Sequence, residues 1–277
     1  MAHFLDRPVG WTPPRLADVY DETSFWSGRF GALLFEFLDI RRGIRGLDVG
    51  CGTGFPLIEL AHLHGASSRF TGVDIWTDAL LRARLKLEAH QLTNVDIVAA
   101  DAASLPFSDG QFDLIVSSLG VNNFADVAKT LRECRRVAKT GARLVLTSNV
   151  RGHFGALYAM LDAILGEAGL EGAREALRRE EDHRYSRERL TSLLVENGFA
   201  AARGVERSFS IRFADGSAML RHALVKWFLD GWRQAVGVAH ERVVLGELEA
   251  RLNVMAEHDG CVEMHVPMLY LEAAAIA

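Results

Sequence analysis

Cysteine is scarce. The 277-residue chain has three, Cys51, Cys134 and Cys261, odd in number and far apart, which fits neither a disulfide framework nor a zinc-ligand spacing. A reducing, cytoplasmic compartment is the expectation. No apolar run approaches the ~18 residues that a membrane span needs, and Asp6, Arg7 and Pro8 interrupt the start of the chain, where a leader would carry its apolar stretch. Secretion and membrane insertion both lack support. Positive charge is not in excess either: 31 Lys and Arg against 36 Asp and Glu leave a formal net charge of −5, so the chain offers no overall field for nucleic acid or an acidic membrane. Internal repeats and low-complexity tracts are missing as well. What is present is a globular composition, 49% hydrophobic and 24% charged, enough to bury the core of one elaborated domain or of one domain with a cap.

Short apolar strands alternate with helical patterns from about residue 45 to 150, as expected for a parallel sheet covered on both faces. Strands are predicted at Gly46 to Val49, Arg69 to Asp74, Val95 to Ala100, Phe112 to Ser117 and Arg143 to Ser148. The intervening helices include a stripe at Leu57, Leu60, Ala61 and His64, a helix around Thr77 to Gln91, and one with Val127, Leu131 and Cys134 at helical spacing. Asn123 is placed as N-cap of a helix beginning at Phe124, with Asp126 three residues on. Beyond Asn149 helices dominate: Phe154 to Gly166, Leu170 to Arg179, Arg187 to Asn197, and two within Gly216 to Glu257. Two late alternating stretches, Val205 to Phe213 and Val262 to Met268, complete the sheet. Phe30, Leu33, Leu34, Phe37 and Leu38 mark an amphipathic N-terminal helix. The segments are thus 1–40, a helical lid, 41–150, the core, and 151–277, a helical cap with the two last strands.

The chemistry concentrates in "LDVGCGTG", Leu47 to Gly54. A strand, a glycine turn and a helix bring main-chain N–H groups and the positive helix end to a ligand. The spacing is Gly50, Gly52, Gly54, and Phe55 stands where a dinucleotide fingerprint wants its third glycine, which counts against NAD. Asp74, at the tip of the second strand, sits where α/β sheets place an acid that accepts two ribose hydroxyls. Asp101 ends the third strand, placed to accept from the exocyclic amine of adenine. Asp48 lies inside the end of the first strand, near enough to orient a cationic amine. Such a ligand has an ammonium, a ribose and an adenine but no phosphate. Each acid has a second reading: Asp74 and Asp101 as turn formers, Asp48 as a partner of loop amides. Cys51 reads as a small filler whose backbone is in contact.

"LDVGCGTG", "GVDI" at Gly72 to Ile75, "AADAASLPFSDGQFDLIVSS" at Ala99 to Ser118 and "LRECRRVAKTGARLVLTSN" at Leu131 to Asn149 resemble the successive motifs of class I S-adenosylmethionine-dependent methyltransferases. The resemblance covers about a hundred residues, in order and at the right strand ends. It implies an α/β, Rossmann-like, doubly wound seven-stranded sheet with the last strand antiparallel, helical insertions forming a cap, and S-adenosylmethionine as cofactor. It further implies Gly50, Cys51, Gly52 and Gly54 around the methionine part with Asp48 nearby, Asp74 and Ile75 at the ribose, Asp101 and Ala102 at the adenine, and Ser118 and Leu119 at the strand end facing the sulfonium. Within that class the chain is similar to ubiquinone and menaquinone methyltransferases, matching at Gly120 and Asn122. It departs from them at "KTGA", where they carry Lys-Pro-Gly-Gly, and in the insertion from Gly216 to Glu257.

Candidate substrate walls are Tyr20, Trp26 and Phe30, the segment "NVRGHFGALYAML", and Trp227, Phe228 and Trp232, which together would suit an apolar metabolite. Core packing is the alternative for each aromatic. Tyr20, Asn122 and His153 are the candidates for the catalytic side. No Asn-Pro-Pro-Tyr motif follows the fourth strand, which disfavours nucleic-acid bases, and no His, Asp and Glu cluster suits a metal. The expected partner is a small-molecule substrate; the acceptor atom and the oligomeric state are open. Rival readings are an NAD(P)-linked oxidoreductase and a non-catalytic S-adenosylmethionine-binding protein.

Overall fold

The computed structural model describes residues 4–6, 16–18, 20–200 and 203–277; the side chain of Trp227, one of the aromatic candidates, lies outside what it describes. One seven-stranded sheet has the order β3-β2-β1-β4-β5-β7-β6, with β7 antiparallel. Its strands are β1 (Arg45–Val49), β2 (Arg69–Asp74), β3 (Val95–Ala99), β4 (Phe112–Ser118), β5 (Ala138–Asn149), β6 (Arg203–Phe213) and β7 (Val262–Ala274). β1 pairs in parallel with β2 and β4, β2 with β3, and β4 with β5. The expected doubly wound sheet is therefore present, and its order reverses between β1 and β4. Open parallel sheets take ligands at such a point, outside the carboxyl ends of the strands.

The chain forms two compact units, Trp11–Ser148 with Ser186–Glu206 and Met268–Ala277, and Met1–Gly10 with Asn149–Tyr185 and Arg207–Pro267. In the first, β1, β2 and β4 are buried on both faces, which is why they read as nearly continuous apolar runs. Helices α1 (Ser24–Phe37), α2 (Leu57–His64), α3 (Thr77–Ala89), α4 (Val127–Val137) and α7 (Arg187–Glu196) belong to this unit. Gly72 in β2 shows how tightly α2 is drawn in: a Cβ there would sit 2.4 Å from Leu57 Cδ2 and 2.8 Å from Cys51 Sγ. The loop before β4 is held by Arg136, which donates to Glu133, Asp109 and the carbonyls of Phe107 and Leu105.

The second unit is helical. It contains α5 (Gly155–Glu167), α6 (Glu171–Asp182), α8 (Gly216–Arg221), α9 (Ala223–Val236) and α10 (Glu241–Asp259). Leu161, Ile164, Leu165, Leu177, Leu220, Leu229, Leu245 and Leu248 are buried within it. Arg174 ties α5 to α6 through Asp162, and Arg221 ties α8 to α10 through Glu249. Among the described residues no helix is long and apolar enough to cross a membrane. Cys51 and Cys134 are buried free thiols and Cys261 is partly exposed; burial pushes the Cys134 thiol up to about 12 and raises that of Cys51, where Asp48 and Asp74 add to the effect.

Three local readings are corrected. The helix after β4 begins at Val127, not Phe124, because Asp126 is its N-cap and accepts from Lys129 N at 2.8 Å, whereas Asn123 donates to the Leu119 carbonyl. β5 starts at Ala138 and not at Arg143: "KTGA" is an excursion within the strand, turned by Gly141 at φ +77°, between the pairs Phe112↔Ala138 and Leu114↔Arg143. The stretch after Gly216 holds three helices where two were expected, since His222 adopts an extended conformation and caps α9 by accepting from Leu224 N, and Gly237 stops α9 at φ +80°.

A Gly72→Ala substitution should cost about 1–3 kcal/mol of unfolding free energy through overpacking, read as a lower urea midpoint at unchanged slope; an unaltered midpoint would show that α2 can retreat freely.

Candidate functional site

The turn after β1 is the geometric centre of the site. Gly50, Gly52 and Gly54 all have positive φ, at +79°, +51° and +100°, a region that side chains disfavour. The turn is fixed to β2 at its start, because Gly50 N and Cys51 N both donate to the Val73 carbonyl, at 2.8 and 3.1 Å. One residue on, Gly52 N donates to Asp74 Oδ2 at 2.8 Å, while Asp74 Oδ1 accepts from Trp76 N at 2.9 Å. Asp74 thus serves its own turn, as the second sequence reading held, and reaches across to the glycine loop besides. A carboxylate has about four lone-pair sites, so two bonds leave capacity on both oxygens. Ile75 beside it is 73% exposed.

Asp48 lies deeper than Asp74. It is 0% exposed, and neither carboxylate oxygen has a hydrogen-bond partner among the described residues. Burial, reinforced by the charge of Asp74 and opposed by the Leu57 backbone, pushes its carboxyl up to about 8. A carboxyl in that position favours the neutral acid until a cation is brought to it.

At the neighbouring strand tips, Asp101 Oδ1 accepts from Ala103 N at 2.8 Å, forming an Asx turn, and Ala102 is buried. Ser118 Oγ accepts from Thr147 Oγ1, and Leu119, at φ +63°, donates from N to the Thr147 carbonyl at 2.7 Å. Ser117 Oγ donates to the Val49 carbonyl at 2.6 Å, joining the ends of β4 and β1. Gly120 leaves room there, since a Cβ would lie 2.4 Å from Ser117 Oγ. β1, β2 and β4 therefore bring Asp48, the three glycines, Asp74 and the Ser118–Leu119 backbone together, with Asp101 at the tip of the adjacent β3.

The three residues expected on the catalytic side have different surroundings. Tyr20 meets Trp76 edge-on with ring centroids 5.8 Å apart, and its hydroxyl is raised by burial, then by Asp21 and Asp74. Asn122 is 7% exposed and donates from Nδ2 to Ser148 Oγ at 2.9 Å. His153 belongs to the helical unit, where its ring stacks on Phe154 at 3.8 Å and tilts against Phe228 at 4.8 Å; burial, with a smaller effect of Arg184, pushes it down to about 3. Trp26 and Phe30 are buried neighbours at 5.4 Å, and Trp232 is buried against Phe154 and Tyr158.

Sequence reasoning did not reach Asp21, Thr53 and Lys86. Thr53 Oγ1 donates to Asp21 Oδ1 at 2.8 Å, and Lys86 Nζ lies 2.6 Å from Asp21 Oδ2 and 2.7 Å from the Thr53 carbonyl. These pairs are 32 and 33 residues apart in the chain for the two hydrogen bonds to Thr53, and no local pattern announces them.

The raised Asp48 value makes the folded chain the better proton binder between the unfolded value of 3.8 and the folded value of about 8. Its contribution to stability is full below that window and is lost as pH rises through it. Relative to Asp48→Asn, the wild-type chain should lose roughly 2–3 kcal/mol of unfolding free energy between about pH 5.5 and pH 7.5, measured by urea titration; a difference constant with pH would mean that Asp48 is ionised throughout.

Residues 47–146 match the methyltransferase domain family. A demethylmenaquinone methyltransferase of Bacillus cereus is 34% identical over 110 residues, 40% of this chain and 46% of that protein, so the match spans about half the length of such curated relatives. Among solved structures, the YcgJ protein of Bacillus subtilis superposes at a TM-score of 0.60 with 17% identity, over 90% of this chain and 99% of that one. A SAM-dependent methyltransferase of Aquifex aeolicus gives 0.54 with 22% identity, over 69% and 91%. Both are likenesses of fold. The ordered motifs at the carboxyl edge of the sheet fall within the residues, 47–146, that match the methyltransferase domain family.

Proposed function

We propose that the chain transfers a methyl group from S-adenosylmethionine to a small or medium-sized apolar metabolite. The observation that carries this is the buried, unpartnered carboxyl of Asp48 at the head of a glycine turn whose other acid is Asp74. Two acids beside bare backbone amides favour a ligand with a cationic group and hydroxyls over one with a pyrophosphate, which would meet like charge.

In this reading Gly50, Cys51, Gly52 and Gly54 enclose the methionine part and Asp48 faces its ammonium. Asp74 uses its remaining lone pairs on the ribose, with Ile75 as an apolar surface beside it. Asp101 and the Ala102 backbone meet the adenine, and Ser118 and Leu119 border the reacting end. The cofactor supplies a methyl carbon already activated on sulfur, so the protein's own task is to align and dehydrate the partners, effects worth up to about 7–11 kcal/mol when orientation is good.

The acceptor side supports alignment over proton abstraction. The Tyr20 hydroxyl is held protonated and can donate; Asn122 is oriented by its bond to Ser148 Oγ; the neutral ring of His153 is a weak base at about 3. Tyr20, Trp26 and Phe30 supply aromatic surroundings that suit an apolar acceptor in this reading. The curated relatives are named for demethylmenaquinone, which agrees with that chemistry, while "KTGA" and the insertion from Gly216 leave the acceptor of this chain its own.

Asp74→Ala should weaken S-adenosylmethionine binding by about 10- to 100-fold, the range for losing hydrogen bonds to a charged group, and Asp74→Asn by less; calorimetry returning the wild-type affinity for both would remove Asp74 from the site. Incubation with isotope-labelled methyl donor and a metabolite extract should yield a labelled apolar product by mass spectrometry. Tight donor binding without any labelled product would favour a non-catalytic binding protein, and stabilisation by NAD or NADP alone an oxidoreductase.

A further inference from the structure

Thr53 stands between two permissive residues. Gly52 at φ +51° and Gly54 at φ +100° give the middle of the ligand loop little stiffness of its own; one bond within it, from Gly54 N to the Cys51 carbonyl at 2.9 Å, is supplemented by contacts from outside the loop. On one side the outside contact is Asp74, through Gly52 N. On the other it is a closed ring of three side chains from three separate segments. Asp21, in the single 3-10 turn Tyr20–Thr23 ahead of α1, accepts from Thr53 Oγ1 with one oxygen and pairs with Lys86 Nζ through the other. Lys86, on α3, closes the ring by donating to the Thr53 carbonyl.

Both oxygens of Thr53 are thereby engaged, and Thr53 itself is buried. The ion pair is partly shielded, with side-chain exposures of 24% for Lys86 and 32% for Asp21, and its geometry is bound up with two charge-assisted hydrogen bonds, so it acts as a unit and not as an isolated surface pair. α3 presses on the same loop one turn earlier: a Cβ on Gly54 would lie 3.2 Å from Ala83 Cβ. The adjacent Tyr20 rests against Trp76, two residues past Asp74. The turn Tyr20–Thr23 is thus fastened at both ends of the loop's surroundings, by an aromatic contact near Asp74 and by the charged ring at Thr53.

We infer that Lys86 is a positioning residue of the cofactor site: by holding Asp21 and the Thr53 carbonyl together it couples attachment of the Tyr20–Thr23 turn to the shape of the glycine loop, and so to cofactor affinity. This rests on the reading of the loop as a binding site for S-adenosylmethionine. Lys86 does not itself touch the ligand. Loosening the turn costs affinity, and a bound cofactor that fixes the loop tightens the turn, because such coupling is reciprocal.

The test uses the full chain with Lys86→Met, which keeps an apolar stem, Asp21→Asn, the double variant and Lys86→Arg. Amide hydrogen exchange over residues 20–37 is followed without ligand, and affinities for S-adenosylmethionine and S-adenosylhomocysteine are measured by calorimetry. Lys86→Met is expected to speed exchange in the turn and to weaken both cofactor forms about tenfold, within the usual span of such couplings. Asp21→Asn should do the same, the double variant should be no worse than either single one, and Lys86→Arg should restore part of the loss. Unchanged exchange in the turn, unchanged affinity, or additive losses would overturn the inference. A wild-type chain that binds neither cofactor form would overturn the functional reading instead, and the exchange experiment on the ligand-free chain would still decide whether the ring holds the turn.

Discussion

A single carboxylate bridges two turns at the carboxyl edge of the sheet. Asp74 accepts from Gly52 N in the loop after β1 and from Trp76 N at the entrance to α3, so the ends of two adjacent parallel strands share one anchor. The glycines supply conformations that other residues disfavour, but permissive backbone alone gives an ensemble. It is the Val73 carbonyl and the Asp74 side chain that select one shape from it. With that shape set, Asp48 is sealed beneath the turn and the Ser117 hydroxyl links β4 to the Val49 carbonyl.

The parts of this arrangement that were legible in the sequence are those whose cause is local. Strands buried on both faces are short apolar runs, and an acid or glycine at their ends follows from where the chain must turn. The same local logic misplaced the start of α4, because Asn123 and Asp126 are both good caps and only the tertiary position of Leu119, whose carbonyl takes the Asn123 amide, decides between them. It also lost the first residues of β5, where pairing with Phe112 resumes the ladder before a glycine excursion. His222 looked like any polar residue within a helical pattern, yet its ring caps the next helix.

Contacts far apart in sequence were out of reach for a different reason. Lysine on a solvated helix and aspartate before one are ordinary surface choices, and nothing in "YDET" or "RARLK" says that the two meet over Thr53. The burial of His153 among Phe154 and Phe228 is likewise a property of how the helical unit folds. A histidine placed just past a strand reads as a candidate for the catalytic side; surrounded by aromatic rings it is held neutral.

The distribution of thiols has a practical consequence. Only a thiolate attacks an alkylating reagent, and the two buried cysteines are held as thiols, Cys51 beneath the glycine turn and Cys134 inside α4 against the sheet unit's core. Cys261, partly exposed between α10 and β7, is left as the natural attachment point for a fluorophore or spin label. A maleimide probe can therefore be introduced at one position of the unmodified chain, in the helical unit.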